Sequence, residues 1–384
     1  MSAPQIPNLL DSLRSGRGGS RGRGRGPRHG PAGRGAHSAE SQDSIVQQTD
    51  GDALGSRVSA VDAGFLRDPF IKDFVTEEVQ SRFPIINRGT YVRTVAIDRL
   101  VDHFLDTEPD QPKQVVSLGA GSDTRVFRTL STRASVPLIY HEIDFPANTR
   151  KKIAAIKRTP TLLSVITSHL PNPADLHISE DLTSLYSPIY NIHPLDLRSL
   201  ALSSSVADSP TALPELSNLS PTTPTLILSE CCLIYLAPDD ADSIVANLVS
   251  SRIPAPTPVS LVLYEPIEPD DAFGQMMISN LSRRGIVLQT LKKYSSLLRQ
   301  RERLKRYGFT SGQAAVEVKF VWEKWLKKAD PNSKGGSPAR DLDEEEEWNL
   351  LSAHYCVAWG WRDGEGDLFS TAWKQLETQG TNPQ

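Results

Sequence analysis

This sequence has little of what thiol, metal or membrane chemistry needs. It holds three cysteines, Cys231, Cys232 and Cys356, and the first two are adjacent inside an apolar run. That spacing suits neither a disulfide framework nor a metal site. All three read as reduced core residues of a protein kept in a reducing compartment, cytosol or nucleus. Long apolar runs are missing too. The longest, such as 225–236, fall well short of the roughly 20 residues that cross a bilayer. The N-terminus has no basic stretch followed by an apolar one, so it carries no readable signal peptide. No Ser/His/Asp arrangement stands out, nor any cluster of metal ligands. Nothing repeats at solenoid or propeller spacing.

Acidic residues are absent from 12–39, which hold seven arginines. The whole chain carries −4, so the rest carries −11. An acidic body argues against a nucleic-acid-binding core. Residues 1–55 are rich in Gly, Ser, Pro and Arg, with RGRGRG at 21–26, and contain no aromatic side chain. They bury too little apolar surface to offset ordering entropy and read as a disordered Arg/Gly-rich tail. Without aromatics for base stacking the tail is best taken as solvated, and any nucleic-acid contact would be confined to it.

The remainder, 56–384, reads as one α/β domain with helical additions. Low-complexity insertions interrupt it near 199–224 and 328–341. Residues 92–105 place Ile97, Leu100, Val101, Phe104 and Leu105 at helical spacing. Short apolar runs at 115–119, 138–145, 225–236 and 260–266 suit strands buried on both faces, and 354–361 looks like a final strand. A helix is expected over 239–250, and 273–306 reads as one long, mostly helical region. This alternation predicts a doubly wound, mostly parallel sheet.

Five stretches carry candidate chemistry. Val115 to Arg125 runs from a strand into the turn Gly119-Ala120-Gly121 and then a probable helix. A dinucleotide fingerprint needs a third glycine where Thr124 stands. The pattern is closer to the glycine turn of class I methyltransferases, which lies against the amino-acid part of S-adenosylmethionine. Glu142 and Asp144 end the next strand, and an acid there can accept ribose hydroxyls. Alternation puts both on one side, so spacing does not choose between them. Asp196 follows a third short strand and is either an adenine-side acceptor or a turn-forming Asp. Glu230 lies inside an apolar run, where a carboxylate needs a partner: a cofactor cation or a structural arginine. Arg93 falls on the apolar stripe of its helix and needs an anion, either a core acid or a ligand carboxylate.

Taken in order, the stretches 68–71 (DPFI), 86–93 (INRGTYVR), 118–125 (LGAGSDTR), 142–146 (EIDFP), 229–235 (SECCLIY), 273–277 (FGQMM), 301–304 (RERL) and 354–359 (HYCVAW) resemble the leucine carboxyl methyltransferases. The resemblance runs from about Arg57 to Trp361. It implies a class I fold using S-adenosylmethionine and no metal. The implied reaction is esterification of the C-terminal leucine α-carboxylate of the type 2A protein phosphatase catalytic subunit. By resemblance, Arg93 and Gly119 contact the cofactor's amino-acid end, Asp144 its ribose, Asp196 and Leu197 its adenine, and Glu230 its charged end. Arg57 stands nearest a cofactor-contacting lysine of the family, and Tyr235 matches a tyrosine near the transfer site. Arg93 and Tyr235 are the expected catalytic pair, in a protein expected to be a monomer of the cytoplasm, with the nucleus as a second location. Two weaker readings are the related transfer-RNA wybutosine branch, whose propeller repeats this chain lacks through residue 384, and a non-catalytic cofactor-binding regulator.

Overall fold

Runs of Val, Ile and Leu too continuous for a one-sided strand form the middle of the sheet. In the computed structural model, which describes residues 39–133, 136–201, 213–326 and 342–380, β1 (Lys113–Leu118) and β7 (Val259–Pro266) are buried at every position. With β2 (Leu138–Asp144), β5 (Tyr190–Pro194) and β6 (Thr225–Glu230) they make the parallel centre, ordered β5-β2-β1-β6-β7. Short strands β3 (His177–Ile178) and β4 (Leu185–Tyr186) add antiparallel pairs at one edge. At the other edge β9 (Tyr355–Arg362) inserts antiparallel between β7 and β8 (Gly312–Glu317). This is the doubly wound class I methyltransferase arrangement expected from the sequence. The strand order reverses at β1, between β2 and β6. Diverging connections there open a crevice at the strands' C-terminal ends.

Helices cover both faces because both are apolar. Helix α1 spans Ala39–Asp62 and α2 Pro84–Asp106. Next come α3 (Arg125–Thr132), α4 (Pro146–Arg158) and α5 (Pro160–Thr167). Then follow α6 (Pro238–Asn247), α7 (Ala272–Arg283), α8 (Leu297–Arg306), α9 (Glu345–Ala353) and α10 (Leu368–Trp373). Pro84 opens α2 at a position where its missing N–H costs nothing. The α2 stripe Ile97, Leu100, Val101, Phe104 and Leu105 packs on one face with α3, α4, α5 and α10. Ile244, Val245 and Leu248, with Leu304 of α8, fill the other. No described helix is long and apolar enough to cross a membrane.

Several sequence expectations need correction. The disordered tail does not reach residue 55, since helix α1 begins at Ala39; the tail reading for 1–38 lies outside the described residues. The run 225–236 is a strand only to Glu230, because Cys231 takes a left-handed φ of 51° and Leu233–Tyr235 form a 3-10 turn. The mostly helical region 273–306 is resolved into two helices, α7 and α8, with Gly285 at φ 77° in the segment between them. The insertion at 328–341 lies outside the described residues, as does 202–212. From 213 on, the other insertion belongs to the body: Leu216 is buried in the second core, and Ser220 pairs with Gln114 through both backbone groups.

His141 and His193 lie buried face to face on β2 and β5, with ring centroids 5.3 Å apart and Nδ1 and Nε2 3.0 Å apart. Burial holds His141 down to about 3, helped by its neighbour, and His193 down to about 4. The unfolded chain takes up these protons near pH 6.5 and so binds more of them between pH 6.5 and 4. Stability is therefore full above pH 6.5 and falls as pH drops toward 4, by about 1.4 kcal/mol per pH unit for each histidine. His193→Phe keeps the stacked ring and should flatten that fall by about one histidine's share. Urea melts at pH 4.5, 5.5 and 6.5 measure it, and parallel acid limbs in the two proteins would refute it.

Candidate active site

The crevice at the reversal is a cavity of about 600 Å³. It is built by the ends of β1, β2, β6 and β7, the first turns of α2, and α1 across the top. Arg57, Arg93, Gly119, Asp144, Asp196, Leu197, Glu230 and Tyr235 all line it. Eight residues from seven places along the sequence thus converge on one space.

The turn after β1 requires its glycines. Gly119 has φ 61°, and a Cβ there would lie 2.5 Å from Cys232 Sγ. Gly121 has φ 44°, and its N–H donates to Asp144 Oδ2 at 2.7 Å. Asp144 also accepts from Phe145 N at 2.7 Å and Asn148 Nδ2 at 3.0 Å. Burial still raises its pKa against those three donors. Glu142 points elsewhere. It pairs with Lys152 at 2.6 Å, both side chains 3% exposed, and does not line the cavity. Burial outweighs Lys152 and pushes Glu142 up to about 7. The choice that strand spacing left open is made by α4, which brings Lys152 under Glu142. Asp196 caps the 3-10 turn Leu197–Leu200 by accepting from Arg198 N at 2.9 Å, and its carboxylate also holds the Arg198 side chain. The turn-forming reading of Asp196 is therefore real, alongside its place on the cavity wall.

Glu230, at the C-terminal end of β6, sits among three guanidiniums. Arg93 donates its Nε–H to Oε1, Arg125 lies 3.4 Å away and Arg57 3.8 Å away. Burial pushes the Glu230 carboxyl up, but Arg93, Arg125 and Arg57 together hold it below the ordinary range. The cluster extends outward. Arg57 meets Asp123 at 2.9 Å, Arg125 meets Asp123 and, at 2.8 Å, Asp98, and Arg128 meets Asp98 and Asp68. Four arginines thus face four acids. Arg93 keeps 26% of its side chain exposed, and its guanidinium lies 4.8 Å from the Tyr264 ring centroid.

Sequence reading missed the helix that roofs this site. Asp50 of α1 accepts from Ser122 N at 2.7 Å and Ser122 Oγ at 2.8 Å. Asp43 pairs with Arg198 at 2.5 Å, Asp52 pairs with Arg284, and Arg57 reaches the ion cluster. Most of α1 carries no apolar stripe to announce it. Polar contacts made only in the folded state hold it in place. Asp123 and Arg125 of the glycine-turn stretch belong to this ion cluster, and the sequence signal for them is an Asp-x-Arg pair at a buried helix start. Cys231 and Cys232 are not core residues: they are partly exposed and line the cavity, while Cys356 is buried.

The Glu142–Lys152 pair yields a stability test. Lys152 also donates to the Asp123 carbonyl at 2.7 Å, so it ties α4 to the glycine turn. Lys152→Ala leaves a buried acid unpaired and should cost about 3–5 kcal/mol in urea melts. Lys152→Met with Glu142→Gln removes both charges and should recover at least half of that. A double variant as unstable as the single one would contradict this account.

Comparison with known proteins agrees with this architecture. The family model described as leucine carboxyl methyltransferase matches residues 32–249. Leucine carboxyl methyltransferase 1 of Aspergillus fumigatus is 47% identical over 99% of both chains, and that of Emericella nidulans 49% identical over 99% of both. The rat protein of the same name is 31% identical over 86% of this chain and 93% of its own. The chain is a methyltransferase and belongs to the leucine carboxyl methyltransferase family.

Proposed function

We propose that this protein transfers a methyl group from S-adenosylmethionine to the C-terminal leucine α-carboxylate of the type 2A protein phosphatase catalytic subunit. The observation that carries the reading is the convergence of Gly119, Asp144, Glu230, Arg93 and Tyr235 on one cavity.

The residues fit that cofactor. Asp144, at the end of β2, offers a buried carboxylate to ribose hydroxyls, as acids at this place in nucleotide-binding folds do. Asp196 and Leu197 offer an acceptor and an apolar surface to adenine. The glycine turn admits the amino-acid portion closely because no Cβ stands in the way. Glu230 offers a negative charge to a ligand that carries one net positive charge. S-adenosylmethionine, when bound, supplies an electrophilic methyl group on a cationic sulfur.

The acceptor needs no base. A C-terminal carboxyl has a pKa of about 3.3–3.7 and is ionised at neutral pH. The chain's task is to align and to exclude water. Holding two reactants in line can remove roughly 7–11 kcal/mol of barrier. Arg93 is fixed from two sides, by Glu230 at its Nε edge and by the Tyr264 ring at its face, and presents its remaining donors to the cavity. Tyr235 is held on its 3-10 turn, and burial raises its pKa, so it stays a hydroxyl donor. Ile86, Val318, Trp348 and Leu351 give part of the wall an apolar surface suited to a leucine side chain. Helix α1 shields the space from solvent and so strengthens each of these contacts.

With methyl-labelled cofactor, the protein should label the intact phosphatase subunit but not one whose C-terminus is amidated. Asp144→Asn should weaken cofactor binding by roughly tenfold in calorimetry, the value of a hydrogen bond or two. Arg93→Ala should lower kcat/KM by roughly 100-fold, since it removes a charged partner of the carboxylate. Full activity in Arg93→Ala would end its role. Binding heat without label uptake would make the protein a cofactor-binding regulator instead, and no binding heat at all would defeat the whole reading.

A further inference from the structure

Two hydroxyls in the cavity wall are left without a task by this mechanism. Tyr264 of β7 and Tyr355 of β9 lie on adjacent antiparallel strands. Tyr355 pairs with Pro266, two residues beyond Tyr264, so both side chains project from the same face of the sheet. Their rings stack with centroids 5.6 Å apart and planes 22° apart. Both line the cavity, and Tyr264 is only 5% exposed. Among the described residues neither hydroxyl has a hydrogen-bond partner, and neither is sealed away from the cavity.

Charge decides what such hydroxyls face. Arg93 is already balanced by Glu230 along one edge. An incoming carboxylate is repelled by Glu230 and attracted by Arg93, so it settles on the side of Arg93 away from Glu230. The sheet lays out that direction residue by residue. Glu230 on β6 pairs with Tyr264 on β7, and Tyr355 stands one strand further on β9. Moving away from Glu230 across the sheet, the cavity wall is therefore first one phenol and then the next. Burial raises both phenols, Tyr355 up to about 12 and Tyr264 well above the ordinary phenol range, so both are O–H donors at neutral pH. A neutral donor adds affinity for an anion without adding a positive charge that would oppose the cofactor.

We propose that Tyr264 and Tyr355 donate hydrogen bonds to the acceptor carboxylate and hold it on the side of Arg93 away from Glu230. The inference rests on the carboxyl methyltransferase reading above and names the groups that distinguish a carboxylate from an amide.

Tyr264→Phe, Tyr355→Phe and the double variant keep the ring stack and the ring beneath Arg93 while removing the hydroxyls. Each single variant should raise the KM for the phosphatase subunit roughly tenfold or more, the value of a hydrogen bond to a charged group, and the calorimetric Kd for S-adenosylmethionine should stay within about twofold. Unchanged KM, or a loss confined to cofactor affinity, would overturn the inference. A second measurement needs no turnover. Calorimetry compares a leucine-terminated peptide with its C-terminal amide on the cofactor-loaded protein. The wild type should prefer the carboxylate roughly tenfold, and the double variant should lose that preference. No preference in the wild type, or one retained in the double variant, also overturns it. A preference without methyl transfer would defeat the proposed reaction and leave the tyrosine site standing.

Discussion

A carboxylate enclosed by guanidiniums is the constraint around which this site is organised. Glu230 ends a strand whose other residues are all buried, with Leu226, Ile227 and Leu228 at its centre, and its charge would be intolerable there alone. Arg93, Arg125 and Arg57 make it tolerable. Each arrives from a different element: the α2 stripe, the start of α3 and the roof helix α1. The ion cluster is therefore what registers those elements against the end of β6. Buried pairs are poor evidence for net stability, because desolvation consumes most of the Coulombic gain. What they fix is geometry. Removing any one member leaves the others uncompensated, so alternative packings of α1, α2 and α3 are penalised.

The same cluster prepares the site electrically. Its four arginines and four acids cancel, so the cluster itself brings no net charge to the cavity. On the proposed function, a cationic cofactor and an anionic acceptor enter as a complementary pair. Neither must displace a counter-charge that the protein cannot replace. A site with surplus positive charge would grip the carboxylate and oppose the cofactor; a surplus of negative charge would do the reverse. Neutral donors such as Tyr235 fit between these limits.

How much of this could be read in the sequence depended on whether a residue's role was set locally. Strands β1 and β7 were legible because burial on both faces demands continuous apolar runs. The glycine turn was legible because left-handed backbone beside Cys232 excludes a side chain. Arg93 was legible as a cation on an apolar stripe, although its partner was not. Helix α1 was illegible because its partners Ser122, Arg198 and Arg284 are distant in sequence and its own apolar content is low. Glu142 and Asp144 could not be separated by alternation, since the distinction lies in Lys152 one helix later. Nothing local marks Tyr264 and Tyr355, whose stacking requires β9 to lie beside β7.

On the proposed function, that insertion also explains why the acceptor side can differ chemically from the cofactor side within one cavity. The parallel strands β1, β2 and β6 end at the crevice with turns, and turns supply backbone N–H groups and acids. An antiparallel strand next to β7 instead begins where β7 ends, so it brings side chains to the rim rather than a turn. Tyr355 is the first residue of β9, and His354 just before it packs against Phe273 at 4.5 Å between ring centroids. Aromatic wall and glycine turn are thus consequences of strand direction on either side of β6. Glu230, paired with Tyr264 across β6 and β7, stands on the boundary between them.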